Sequence, residues 1–383
     1  MNEDFLDKRL QERKDHHAFR RLRLPDGKTD LCSNDYLGIA TNGLIEKALT
    51  GQSDRADPTA ISRSTPHGSC GSRLLAGNYP LIEETEKELA AFHAASAGLI
   101  FNSGYDANLG LLSCLPQRGD TVLYDQLSHA SIRDGIRLSF ARAFSFGHND
   151  LQDLEHHLRT TKREGTVFVV TESVFSMDGD QAPLAEITAL CHRYDAHLIV
   201  DEAHATGVIG QKGEGLVQQL QLQNACFARV HTFGKAVGCH GAVILGSPRL
   251  RDYLINFSRP FIYTTALPPS AILAIQKAYS LFPGMHPERA HLQTLIDILQ
   301  NADLPFEKLS SRTPIQGVII PGNEAAGAMA AALQDEGLDV RPILYPTVPR
   351  GGERLRIVLH AFNTVADVDK LIAILQKNKP AHH

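Results

Sequence analysis

The chain has 383 residues, of which 43% are hydrophobic and 21% are charged, and its formal net charge is −5. This length is sufficient for two or three domains with a large core, and the composition is that of an ordinary globular protein. The negative charge argues against nucleic acid or an anionic membrane as the main partner, and we expect neither.

The first residues and the cysteines predict the cellular setting. The chain starts with the acidic segment Met1–Phe5, which lacks the apolar core of a secretory signal, and no apolar run approaches the ~20 residues of a membrane span. The six cysteines include no C-x-x-C pair, which favours neither a zinc site nor a disulfide framework. We therefore expect a cytoplasmic protein with reduced thiols and no metal.

The predicted elements, in chain order, indicate an α/β protein with a second, smaller domain. Residues 1–45 form an N-terminal segment expected to pack with the small domain, residues 46–280 the large domain, and residues 281–383 the C-terminal small α+β domain. Apolar strands of the large domain are predicted at 98–101, 121–124, 166–171, 197–201, 228–232 and 242–245. Because these strands are apolar throughout and alternate with helices such as 81–95 and 183–194, we expect a mostly parallel sheet flanked by helices.

Polar residues follow three of these strands, at 172–176, 201–204 and 232–235. Ligands of open α/β sheets bind at the carboxyl ends of the strands. Lys235 lies among small residues after one strand, and Asp201 and His204 follow another. An amine, a carboxylate and an imidazole in this order suit a pyridoxal phosphate enzyme, in which the lysine forms a Schiff base and the aspartate keeps the pyridine nitrogen protonated.

A nucleotide-hydrolysing enzyme is the main alternative, because Asp-Glu-Ala-His at 201–204 is also the Walker B sequence of helicases. Such an enzyme needs an upstream G-x-x-x-x-G-K-[ST] loop. The one candidate, Gly27-Lys28-Thr29, has Leu22 at the place of the first glycine, so it is better interpreted as a polar turn. A dinucleotide G-x-G-x-x-G motif is absent as well, which argues against NAD.

Two glycine-bearing turns and a histidine are weaker signals. The segments 68–73 and 103–106 precede helices, where backbone N–H groups can bind a phosphate, but glycine turns are also common without a ligand. His129 is either a capping residue at a helix start or a flat ring that stacks on a cofactor. The sequence alone leaves both alternatives open.

Taken together, the chain resembles the α-oxoamine synthase family, which comprises pyridoxal phosphate enzymes of fold type I. The resemblance extends over nearly the whole chain. The matching motifs are SNDYLG (33–38), GSRLLAG (71–77), SHAS (128–131), VFSMDGD (174–180), DEAHATG (201–207), TFGK (232–235), PTVP (346–349) and RLR (354–356).

The resemblance implies a role for each matching residue around the cofactor ring. Lys235 would carry the internal aldimine, and Asp201 would pair with the pyridinium nitrogen. His204 and Ser176 would lie near the phenolic oxygen, and His129 would stack on the ring.

The phosphate and the substrates are assigned in the same way. Backbone donors of Gly104 and Tyr105, together with Thr232 and with Thr265 from the partner subunit of a homodimer, would bind the phosphate.

Asn34 and Arg356 would hold the carboxylate of the amino acid, while Arg20 and Thr347 would lie where the acyl substrate passes. In one place the chain departs from the family's biotin branch, because Leu344 replaces an arginine before the PTVP motif. The sequence leaves open whether Arg341, three residues earlier, takes over the role of that arginine.

The implied reaction is a decarboxylative condensation of an amino acid, L-alanine, with an acyl thioester, pimeloyl on coenzyme A or on acyl carrier protein, in biotin biosynthesis. A glycine C-acetyltransferase or an enzyme like serine palmitoyltransferase would share every cofactor residue. A non-catalytic regulatory subunit is the alternative from another class, and the presence of Lys235, Asp201 and His204 argues against it.

Overall fold

The computed structural model describes residues 3–22, 24, 27–50, 67–162 and 164–378. They form two compact units. The first unit contains the described residues up to Tyr36, the segment Ser176–Asp180 and the residues from Pro287 onward, and the second contains Leu37–Phe175 and Gln181–His286. The three-part domain division from the sequence stays a prediction.

The strands, in chain order, are β1 (Thr29–Asp30), β2 (Ala97–Phe101), β3 (Thr121–Asp125), β4 (Arg142–Phe146), β5 (Val167–Glu172), β6 (His197–Asp201), β7 (Cys226–Thr232), β8 (Ala242–Gly246), β9 (Ile315–Ile319), β10 (Leu338–Asp339), β11 (Arg341–Ile343) and β12 (Arg354–Val358). The helices are α1 (Asp4–Asp15), α2 (Leu44–Thr50), α3 (Pro80–Phe92), α4 (Gly104–Cys114), α5 (Ala130–Leu138), α6 (Leu151–Thr160), α7 (Leu184–Arg193), α8 (Leu216–Gln219), α9 (Pro248–Phe257), α10 (Arg259–Ile262), α11 (Pro269–Leu281), α12 (His286–Asn301), α13 (Asn323–Asp335) and α14 (Val365–Lys377).

A seven-stranded sheet in the order β2-β8-β7-β6-β5-β3-β4 forms the centre of the second unit. The strands from β7 to β4 run parallel to one another, and β8 is antiparallel to both of its neighbours. The predicted α/β class with a mostly parallel, helix-flanked sheet is therefore confirmed. Strand β4 was not predicted, because it lies at the sheet edge and three of its five residues are exposed, so it lacks an apolar run.

Alternate residues of the central strands enter two separate apolar clusters. Phe168 and Val170 of β5 pack in the cluster that includes Leu111 of α4, whereas Val167 and Val169 pack in the cluster that includes Leu184 of α7. Both faces of the sheet are thus covered by helices, which explains why the strands are continuously apolar. The polar residues are left to the strand ends.

In the first unit, β11, β12 and β9 form an antiparallel sheet, and β1 pairs in parallel with β10. Leu355 and Ile357 of β12 are buried, while the intervening Arg356 is half-buried. The period of two in a strand therefore places Arg356 on the opposite face from the apolar core residues. No helix in the described part of the chain is long and apolar enough to cross a membrane.

Candidate active site

Asp201 ends strand β6 at the carboxyl edge of the large sheet and is only 6% exposed. Its two carboxylate oxygens accept different hydrogen bonds. Asn108 Nδ2 donates to Oδ2 at 2.7 Å, and the Ala203 backbone N–H donates to Oδ1 at 2.8 Å. Both bonds fix the orientation of the carboxylate.

Asn108 connects Asp201 to the predicted ring-stacking histidine. Its Nδ2 also donates to Ser131 Oγ at 3.0 Å, and this hydroxyl lies 2.8 Å from His129 Nδ1. Because Nδ1 already accepts the Ser131 backbone N–H at 3.2 Å, the Ser131 hydroxyl is the donor to Nδ1, and a neutral His129 carries its proton on Nε2. A chain of hydrogen bonds thus joins the imidazole to the carboxylate of Asp201.

The backbone of His129 is held by a second carboxylate. Its N–H donates to Glu172 Oε1 at 2.6 Å, and Glu172 is 2% exposed at the end of β5, directly opposite Asp201 in the strand register. Burial raises the pKa of Glu172 well above its usual range, and the Asp201 carboxylate raises it further. Burial lowers the pKa of His129. The Asp201 carboxylate raises this pKa and the Lys235 ammonium lowers it further, and the net effect is a lowered pKa. His129 is therefore a neutral, flat ring near pH 7.

Lys235 lies after β7, in a turn whose backbone is closed by the Gly238 N–H donating to the Lys235 carbonyl at 2.8 Å. Phe233, Ala236 and Val237 around it are buried, and the lysine itself is half-buried. Its charge acts on the pKa of both His129 and Glu172, so the amine belongs to the same electrostatic cluster as Asp201. His204, which is 5% exposed, follows β6 on the same sheet edge.

Helix α4 begins next to this cluster. Ser103 caps the helix by accepting the Asp106 N–H at 3.0 Å. A Cβ added to Gly104 would lie 3.3 Å from Thr232 Oγ1, so the first turn of the helix and the threonine hydroxyl share one small space. The first N–H groups of a helix have no partner within it, and an anion between them and Thr232 would satisfy them.

The structure gives less support for the predicted phosphate-binding roles of Tyr105 and Thr265. The Tyr105 side chain is 44% exposed and its hydroxyl contacts Asp134, so only its backbone is a candidate phosphate donor. Thr265 is exposed, and its carbonyl accepts from Asn102 Nδ2 at 2.9 Å within the same chain. Its assignment to the phosphate site of a partner subunit stays a prediction.

The residues of the second unit fit pyridoxal phosphate. A buried, oriented carboxylate can pair with a pyridinium nitrogen, a neutral imidazole can face a ring, and a helix N-terminus beside a hydroxyl can bind a phosphate. A Cβ at Gly104 would fill part of the space available to that phosphate. The amine of Lys235 supplies the group that an aldehyde needs.

Three of the predicted substrate and cofactor residues meet in the first unit. Arg356 Nη2 donates to Asn34 Oδ1 at 3.0 Å, and Arg356 Nε donates to the Ser176 carbonyl at 2.7 Å. The Tyr36 hydroxyl also donates to Asn34 Oδ1, at 3.1 Å. Asn34 therefore orients one edge of the guanidinium. The resemblance implied that Ser176 and His204 lie near the same phenolic oxygen. The two residues belong to different units, so this assignment stays a prediction.

The residues predicted along the acyl path also belong to the first unit. Arg20 Nη2 lies 3.5 Å from Thr347 Oγ1, and both side chains are exposed. Arg341 forms an ion pair with Asp339 at 2.8 Å. Its guanidinium is thus already partnered, which makes Arg341 a poor replacement for the arginine that Leu344 has displaced.

Sequence reasoning missed Asn108 and the contact between Glu172 and His129. The available signal for Asn108 was a polar residue in an otherwise apolar stretch of helix, four positions after Gly104 and hence on the same face. Its partner Asp201 lies 93 residues further along the chain, so only the fold shows the pairing.

The aminotransferase class I and II family model matches residues 26–375. The chain is 42% identical to the 8-amino-7-oxononanoate synthase of Marinobacter nauticus, over 97% of this chain and 95% of that protein. Among solved structures, it is similar to the serine palmitoyltransferase of Sphingomonas wittichii, with a TM-score of 0.85 and 27% identity over 98% of this chain and 96% of the other. It is likewise similar to the 8-amino-7-oxononanoate synthase of Francisella tularensis, with a TM-score of 0.75 and 29% identity over 92% and 98%.

The family model covers most of the chain, and the relatives match over nearly their full length. Both findings agree with the motifs and with the site. The chain belongs to the aminotransferase class I and II family and, within it, to the α-oxoamine synthases, which are pyridoxal phosphate-dependent enzymes of fold type I.

Proposed function

We propose that the protein condenses L-alanine with a pimeloyl thioester, carried by coenzyme A or acyl carrier protein, to give 8-amino-7-oxononanoate, carbon dioxide and a free thiol in biotin biosynthesis. The observation that supports this best is the buried Asp201 carboxylate, oriented by Asn108 and in electrostatic contact with His129 and Lys235. It occurs in a chain whose curated relatives at about 40% identity carry the name of that synthase.

Pyridoxal phosphate, when bound, supplies an electron sink for the Cα atom of the amino acid. Asp201 would maintain the sink, because its ionised carboxylate keeps a proton on the pyridine nitrogen. Asn108 and the Ala203 N–H would orient that carboxylate. His129 would cover one face of the ring as a neutral imidazole, and the first turn of α4 with Thr232 would hold the phosphate.

Lys235 would act twice. Its Nζ would hold the cofactor through the aldehyde, and its amine would remove the Cα proton of alanine as a general base. The Cα atom then forms a bond to the thioester carbonyl carbon, and the thiolate leaves. The original carboxylate departs as carbon dioxide, and a proton returns to Cα, so that atoms and charges balance.

Arg356 and Asn34 would orient the alanine carboxylate. A guanidinium offers two parallel N–H donors to a carboxylate, and the hydrogen bond to Asn34 fixes the position of the Arg356 guanidinium. Arg20 and Thr347 would contact the acyl substrate. We further propose a C2 homodimer in which Thr265 of each chain completes the other's phosphate site. A fully active monomer in size-exclusion chromatography would contradict this part.

A substrate panel tests the function. Purified protein is assayed with alanine, glycine and serine against acetyl, pimeloyl and palmitoyl thioesters on both carriers. We expect alanine with pimeloyl to give the highest kcat/KM. A preference for serine with palmitoyl would instead support a serine palmitoyltransferase, a candidate favoured by the similarity to its solved structures. Protein that is not yellow, or does not bleach with borohydride, would support a non-catalytic subunit.

A further inference from the structure

A cavity of about 350 Å³ lies in the first unit, apart from the residues assigned above. Helix α1 and the segment after β11 form its walls. The lining residues are Arg9, Glu12, Arg13, His16, Ala18, Tyr345 and Pro346. Neither the family match nor the motif analysis gives this cavity a role.

Two arginines of α1 face the cavity. Arg9 and Arg13 are four residues apart and therefore lie on one helix face, and both are exposed. Among the described residues, neither guanidinium forms an ion pair or a side-chain hydrogen bond, even though Glu12 lines the same cavity. Two guanidinium groups that face one cavity and form no ion pair with the described residues are suited to a phosphate group.

Hydrogen bonds of Asn323 fix the position of Tyr345 on the opposite wall of the cavity. Asn323 Oδ1 accepts the Tyr345 N–H at 2.8 Å, and Asn323 Nδ2 donates to the His16 carbonyl at 2.6 Å. The His16 and Tyr345 rings contact edge to face at 6.3 Å, and the Arg350 guanidinium lies 4.9 Å from the Tyr345 ring centroid. One side-chain amide thus connects both walls of the cavity, and the Arg350 guanidinium packs on the Tyr345 ring from outside the lining.

The cavity adjoins the predicted acyl path. Pro346 lines it, and the next residue, Thr347, contacts Arg20 at 3.5 Å. We infer that the cavity binds the phosphate-bearing end of the thioester carrier, an inference that rests on the proposed function. A phosphate at the end of a pantetheine arm is common to coenzyme A, where it is part of a pyrophosphate, and to acyl carrier protein, where it is a phosphodiester, and two guanidinium groups suit the anionic oxygens of either.

Direct binding separates this inference from the reaction. Dissociation constants are measured by calorimetry for coenzyme A, holo acyl carrier protein and pantetheine, which lacks the phosphate. The double variant Arg9→Gln/Arg13→Gln is compared with Lys8→Gln/Lys47→Gln, which removes the same charge from exposed positions outside the cavity. A third protein, Arg9→Lys/Arg13→Lys, keeps the charge.

We expect the Kd of at least one phosphate-bearing carrier to rise about tenfold or more in the Arg→Gln variant, to stay within about twofold in the lysine control, and to recover partly in the Arg→Lys variant. The Kd of pantetheine should not change. The carrier whose affinity falls identifies the natural source of the phosphate. Equal affinities in all proteins, or an equal loss for pantetheine, would overturn the inference.

The two proposals can fail separately. If every pair in the substrate panel is inactive but the arginine variant still loses affinity for the carrier, the cavity assignment stands and the reaction assignment falls. If the panel gives 8-amino-7-oxononanoate and the carrier affinities do not change, only the cavity assignment falls.

Discussion

The cofactor residues of the second unit and the acyl residues of the first unit are held to different degrees. Asp201, Glu172 and Asn108 are each no more than 6% exposed; Asn108 donates to Asp201 at 2.7 Å, and the His129 N–H donates to Glu172 at 2.6 Å. Arg20 and Thr347 are exposed and share one contact of 3.5 Å. The groups proposed to perform the chemistry are preorganised, whereas those proposed to select the acyl chain can be exchanged at little cost to the fold.

The largest expected effect is at Lys235. Lys235→Ala removes both the proposed nucleophile and the proposed general base, so we expect turnover to fall by about 10⁴-fold or more, with no cofactor covalently attached to the protein after borohydride reduction. The control Lys212→Ala changes an exposed lysine and should keep the wild-type rate and, unlike Lys235→Ala, should retain the cofactor covalently after borohydride reduction. Near-normal turnover of Lys235→Ala would refute the proposed role.

Asp201→Asn should come next. The amide has nearly the same shape but cannot carry the negative charge that keeps the pyridine nitrogen protonated, so we expect kcat to fall about 10²-fold or more. Circular dichroism and thermal unfolding should show an intact fold. Unchanged kinetics would remove Asp201 from the pyridinium role.

Asn108→Leu tests whether the carboxylate must be oriented. The substitution keeps the side-chain volume but removes the donor at 2.7 Å, and a hydrogen bond to a charged group contributes about 1.5–3 kcal/mol. We therefore expect kcat to fall about 10- to 100-fold and the cofactor absorption to shift, with a smaller loss than in Asp201→Asn. The exposed Asn256→Leu is the matched control. If the two asparagine variants behave alike, the relay from His129 to Asp201 has no function.

Asn108 also shows what the sequence could and could not predict. The apolar strands of the sheet were predictable because burial on both faces leaves a continuous apolar run, and the polar residues at their ends followed from the same reasoning. The edge strand β4 gave no such run. The contacts of Asn108 with Asp201, and of Glu172 with the His129 backbone, join segments far apart in the chain, so no local pattern contains them.

The first unit gives the same lesson on a smaller scale. The family resemblance assigned Arg356 and Asn34 to the carboxylate of the amino acid, which stays a prediction, and the hydrogen bond between their side chains was not foreseen. The ion pair of Arg341 with Asp339 was not foreseen, although it lies within one short stretch of chain, because the sequence does not show which way a strand side chain turns.

Arg356→Lys should have an intermediate effect on substrate binding. A lysine keeps the charge but loses the planar pair of donors and the contact with Asn34, so we expect the KM for alanine to rise about tenfold or more with a smaller change in kcat. Arg341→Lys, in the neighbouring strand, should leave the KM for alanine within about twofold of wild type. A larger effect at Arg341 would mean that the amino-acid carboxylate is held elsewhere.

The smallest effect is expected at Arg20. An exposed arginine with one long contact contributes little binding energy, so Arg20→Gln should raise the KM for the pimeloyl thioester only about threefold and leave the KM for alanine unchanged. Steady-state kinetics with each substrate varied in turn measures both constants. If Arg20→Gln lowered kcat/KM for the thioester as much as Asn108→Leu lowers kcat, the acyl residues would be as firmly organised as the cofactor residues. The contrast between the two regions would then be wrong.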